Sequence, residues 1–112
     1  MSDLTSKQCK PCEGGVAPLT LSDAQMLMKQ LNPAWQLAGD GKSIQREWKF
    51  KNFYRTMSFV NAAAHVANSE DHHPDMEVGY GYCRVKYNTH AIGGLSENDF
   101  ICAAKTDALG RT

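Results

Sequence analysis

One segment constrains what this chain can become more than any other. Between Asn52 and Ala67, apolar residues fall at Phe53, Met57, Val60, Ala64 and Ala67, spaced by fours and threes. Residues so spaced share one face of an α-helix. The spacing predicts a helix of about four turns, with Asn52 as its cap. On either side the apolar period drops to two, the signature of strands. Ile44, Trp48 and Phe50 alternate with Gln45, Glu47 and Lys49, while Arg46 sits on the apolar side. Cys83, Val85 and Tyr87 likewise alternate with Arg84, Lys86 and Asn88. Trp35 to Leu37, before the turn Gly39-Asp40-Gly41-Lys42, and Met76, Val78 and Tyr80 supply a shorter partner for each.

Two further helices frame these pieces. The first carries Ala24, Leu27, Met28 and Leu31 on one face, with Ser22 and Gln25 as a capping box and Leu21 and Met26 as its staple. It should stop near Asn32, because Pro33 disfavours helical geometry there. The last opens at Ser96, places Glu97 and Asp99 in its positive first turn, and buries Ile101, Ala104 and Ala108. The order α-β-β-α-β-β-α implies an α+β fold: a four-stranded antiparallel sheet with helices packed on one face. The chain's 112 residues suffice for one domain. Residues 1 to 19 lack periodicity and read as a flexible N-terminal arm, leaving 20 to 112 as a single domain.

Lys and Arg number 12, as do Asp and Glu, so the net charge is zero with the four histidines neutral. That balance gives no pull toward nucleic acid or an anionic membrane. No apolar run resembles a signal peptide or a membrane span, which points to a cytoplasmic protein with its thiols reduced. Cys9-Lys10-Pro11-Cys12 could supply half a zinc site or a redox pair, but a lone pair in a flexible arm reads first as an ordinary reduced tail. Trp35 and Trp48 could stack on a flat heterocycle, or simply fill the core.

The chemistry gathers in the 19 residues from His72 to His90, which hold three of the four histidines. Neighbours in an extended chain point to opposite sides, so His72 and His73 share a site only if the backbone turns beside them. Pro74 restricts His73 to extended geometry. His90 ends the last strand, and antiparallel pairing can bring it close. Three imidazoles suit acid–base work on a small polar molecule near neutral pH. Paired surface histidines in a solvated loop, or a metal site recruiting Glu70 or Asp71, are the competing readings.

His72-His73-Pro74, Tyr80, His90 and Asp99 together resemble the signature of the pterin-4a-carbinolamine dehydratases. Trp35, Phe50-Lys51-Asn52-Phe53, Gly94-Leu95-Ser96 and Asn98-Asp99 agree with it, over residues 20 to 108. The resemblance implies dehydration of 4a-hydroxytetrahydropterin to quinonoid dihydropterin, the step that recycles tetrahydrobiopterin after aromatic amino acid hydroxylation. His72 and His90 would be the acid–base groups. His73 would mainly hold the pterin and share in proton transfer, with Asn68 and Trp35 as further substrate contacts. No metal or other cofactor is implied. A homo-dimer or homo-tetramer is expected, with functional coupling to an aromatic amino acid hydroxylase. A non-catalytic dimerisation module for a transcription factor or hydroxylase is the alternative. Asn68 departs from the family, which commonly has an acid four residues before the first histidine. Asp99 matches the signature, but its place in the first helical turn makes capping a sufficient role.

Overall fold

The computed structural model describes residues 4–11 and 17–109. The elements follow the expected order: α1 (Leu21–Met28), β1 (Gln36–Leu37), β2 (Ile44–Lys49), α2 (Phe53–Glu70), β3 (Asp75–Val78), β4 (Tyr82–Tyr87) and α3 (Glu97–Leu109). Short 3-10 turns occupy Leu4–Ser6 and His90–Ile92. The four strands form one antiparallel sheet in the order β1-β2-β4-β3. In the central pair Ile44 faces Tyr87, Arg46 faces Val85 and Trp48 faces Cys83. That register brings the apolar alternates of both strands to one side, where the helices cover them. Trp48 packs against Phe59 of α2 at 4.6 Å between ring centroids, and Trp35 meets Trp48 edge-on at 5.7 Å. Arg46 tolerates the apolar side because its guanidinium lies 4.4 Å from the Trp48 ring and pairs with Asp107 at 2.7 Å.

Several local expectations shift. Thr20, not Ser22, caps α1, its hydroxyl accepting from the Asp23 amide at 3.1 Å. Leu21 and Met26 are exposed, so they form no staple. Asn52 caps α2 as expected, accepting from the Arg55 amide at 2.9 Å. The most buried row of α2 is Thr56, Phe59, Ala63 and Ala67; it keeps Ala67 of the expected stripe but replaces Met57, Val60 and Ala64 by the residues one position earlier. The cause is Thr56, whose hydroxyl reaches the carbonyls of both Asn52 and Tyr80 at 2.8 Å and can therefore lie inside. Tyr80 itself is exposed and stacks on Phe53.

The helix α3 is buried on nearly all sides, from Asn98 through Ala104 and again at Thr106, while Ala108 is exposed. A single stripe would suffice for a helix lying on one layer, but α3 is also covered by residues 4–11. The 3-10 turn packs against it, and Leu4 is 1% exposed within the core. Residues 4–11, part of the segment read as a flexible arm, lie against the body here, with Leu4 in the core and Cys9 packed beside it. Lys7 pairs with Glu97 at 2.7 Å on the same helix. Cys12, the second half of the CxxC, lies outside the described residues.

Candidate functional site

The turn that both histidines require is present. Asp71 ends α2 in the left-handed region, at φ 51° and ψ 41°. The His72 amide then donates back to the Ala67 carbonyl at 3.1 Å, satisfying the end of the helix. His72 and His73 follow at once, ahead of Pro74 and β3. His90 begins the 3-10 turn after β4, which Gly93 closes at φ 68°. The carbonyl of Gly94 accepts from the Thr89 amide at 2.8 Å, drawing the ends of that turn together.

These segments line one cleft of about 540 Å³ that contains His72, His73 and His90 together. Its size suits a small organic molecule. Other walls come from Asn88 and Thr89 after β4, from Asn98 on α3, and from Cys9 to Pro11. That last contribution has no visible trace in the sequence pattern.

His72 is the most elaborately held of the three imidazoles. Its Nε2 lies 2.6 Å from Oδ1 of Asp99, a carboxylate that is 0% exposed. The other Asp99 oxygen accepts from the Ser96 amide at 2.9 Å and from the Thr89 hydroxyl at 2.8 Å. Asp99 therefore caps α3, as its position suggested, and also orients a cleft imidazole. Nε2–H donates to the carboxylate, which leaves Nδ1 as the atom able to exchange a proton. The ring stacks nearly parallel on Tyr87 at 5.7 Å. Burial pulls the His72 pKa down, but the hydrogen bond and negative charge of Asp99 outweigh it, leaving the net value above that of free imidazole.

His73 interacts with Oδ1 of Asn68 at 3.0 Å. An amide oxygen can only accept, so Nε2 of His73 carries the hydrogen. Asn68 is not a wall of the cleft and reaches it only through His73. Trp35 requires correction as a substrate contact. It is 3% exposed, lies away from the cleft walls and donates its indole N–H to Asp107 at 2.7 Å. Among the described residues, no three His, Cys, Asp or Glu side chains converge as metal ligands.

The fold and the cleft define a class: a small α+β protein that gathers three imidazoles, one backed by a buried carboxylate, in a single cleft. The model of the pterin 4 alpha carbinolamine dehydratase family matches residues 17–109, and the chain belongs to that family. A protein of Nitrosomonas europaea carrying the pterin-4-alpha-carbinolamine dehydratase name is 66% identical over 107 residues, covering 96% of this chain and 93% of the relative. One of the same name from Nitrosospira multiformis is 58% identical over 109 residues, covering 97% and 94%. The crystal structure of a transcriptional coactivator/pterin dehydratase from Brucella melitensis superposes with a TM-score of 0.78 at 32% identity, covering 84% of this chain and 99% of that one. A pterin dehydratase-like RuBisCO assembly factor of the alpha-carboxysome shares the fold, with a TM-score of 0.60 at 22% identity over 70% of this chain and 93% of its own. Among the described residues, no helix is long and apolar enough to cross a membrane.

Proposed function

We propose that this protein removes water from 4a-hydroxytetrahydropterin, giving quinonoid dihydropterin. The observation that carries the proposal is the meeting of His72, His73 and His90 in one cleft, with Asp99 behind His72. Hydroxide leaves carbon poorly, whereas water leaves readily. A proton from Nδ1 of His72 reaches the 4a-hydroxyl as the carbon–oxygen bond breaks, and the bonding pair departs with water. The ring nitrogen next to C4a gives its proton to His90, and its electrons form the new carbon–nitrogen double bond. The raised pKa of His72 suits the acid, because more of it is protonated at neutral pH. His73, tied to Asn68, holds the pterin. Atoms and charge balance without a redox partner.

The test follows the ultraviolet absorbance of enzymatically generated 4a-hydroxytetrahydropterin in the presence of the purified protein. Acceleration of its decay supports the reading, and an unchanged decay sinks it. Replacing both His72 and His90 with Ala should cost about 10²–10⁴-fold in rate without loss of the fold. Full activity in that double variant would move the chemistry elsewhere.

Coupling to an aromatic amino acid hydroxylase and assembly into a homo-dimer or homo-tetramer accompany this reading. Exposed Phe53 and Tyr54 at the start of α2 offer surface for such contacts. The Brucella melitensis relative is called a transcriptional coactivator as well as a dehydratase, which favours a second reading, a binding module without catalysis. Inactivity combined with an intact fold would select it.

A further inference from the structure

Residues 9–11 are held against the body by contacts that have no part in the proton transfers above. The Cys9 amide donates to Oε1 of Glu70 at 2.8 Å, while Oε2 of the same carboxylate takes Lys105 at 2.6 Å. Those two donors, the Cys9 amide first, hold the Glu70 carboxyl below its usual range. At Lys10 the main chain is gripped at both ends of the residue by one side chain. Its amide donates to Oδ1 of Asn98 at 3.0 Å, and its carbonyl accepts from Nδ2 of Asn98 at 2.6 Å. Only an amide side chain can donate and accept in that way; aspartate or leucine would lose one or both bonds. Sγ of Cys9 lies 3.5 Å from Sγ of Cys102, and Leu4 anchors the segment in the core.

The clamped residues Cys9, Lys10 and Pro11 share the cleft with the three imidazoles. They add the apolar ring of Pro11 and, in Lys10, a side chain that stays cationic where an imidazole loses its charge. We infer that residues 9–11 form a substrate-positioning wall of the dehydratase cleft, and that Asn98 is the positioning residue that holds this wall in place. The inference rests on the dehydratase reading and extends it to specificity. The wall meets the pterin outside the atoms that react, so it governs KM more than kcat.

Cys9 supplies the readout. Its thiol is kept protonated by the contact with Cys102 and by burial, so it alkylates slowly while the segment is docked. Iodoacetamide labelling at Cys9, followed by peptide mass mapping, is measured on the full chain with and without 7,8-dihydrobiopterin. Bound pterin should slow labelling severalfold. Asn98→Leu should speed it and raise KM about tenfold, leaving kcat within about twofold. Leu4→Ala, which loosens the anchor without touching the cleft, should act in the same direction. Faster labelling with KM unchanged overturns the wall, as does pterin binding that leaves wild-type labelling unaltered. An inactive wild type still protected at Cys9 by the pterin refutes the dehydratase reading and leaves the wall standing. An active wild type without protection does the reverse.

Discussion

The helix α3 carries two aspartates with similar numbers of partners and opposite uses. Asp107, in its last turn, accepts from the indole of Trp35 and from Arg46, each at 2.7 Å, and from the Asn32 amide at 3.2 Å. Every one of those donors keeps its hydrogen at any ordinary pH, so the carboxylate acts as a fixed tie between α3, the sheet and the segment after α1. Asp99, in the first turn, accepts from an amide, a hydroxyl and an imidazole. The imidazole alone can change its proton count near neutrality, and it faces the cleft. What sets the Asp99 carboxylate apart is its one titratable partner, not its burial or the number of its bonds.

The largest effect should come from Asp99→Asn. Its amide nitrogen would confront donors already pointing at it, and His72 would lose the charge that sustains its protonation. We expect kcat to fall about 10²-fold and stability to fall by about 1–3 kcal/mol, measured by steady-state kinetics and urea unfolding. Activity near that of wild type would erase the distinction between the two aspartates. Asp107→Ala should instead cost about 2 kcal/mol of stability with kcat nearly unchanged, and Trp35 fluorescence should report the loosened contact. A kcat loss comparable to that of Asp99→Asn would break the comparison from the other side.

The difference also predicts a pH signature. The folded-state pKa of His72 is raised above its unfolded value. Its stabilising contribution is therefore complete below the unfolded imidazole pKa, about 6.5, and is lost as pH rises through the folded value. In Asp99→Asn the burial effect, the largest single influence on His72, is opposed only by Cys102, so the folded pKa should drop and the slope should reverse. Proton NMR titration of the His72 ring, beside unfolding at a series of pH values, checks both signs. The smallest effect belongs to Asn68→Asp, which restores the acid common in the family. It acts on exposed His73, so it should change kcat by less than about tenfold, measured by steady-state kinetics.

The element order was legible because helical and strand periods alternate cleanly along the chain, and Asn52 announces α2. The shift of the α2 stripe was not, because hydropathy ranks Thr56 as a surface residue. Its burial depends on the distant Tyr80 carbonyl. The three imidazoles could be named from sequence, since family spacing marks them. Their grouping needed the left-handed turn at Asp71. The second role of Asp99 was hidden because capping already explains an acid at that position. Residues 9–11 were illegible as a cleft wall. Their docking depends on a single early leucine and on side chains from the far end of the chain, and no local period encodes either.

The docking of Leu4 also orders events in time. Leu4 leaves the ribosome long before the helix it packs against, Glu97–Leu109. Glu70 and Asn98 must both be in place before residues 9–11 can settle. Joining such distant parts closes a long loop, which is a late and entropically costly step in folding. The newborn chain can thus form its sheet and α2 while the cleft still lacks one side, and the pocket is completed only when α3 comes back to meet residues 4–11.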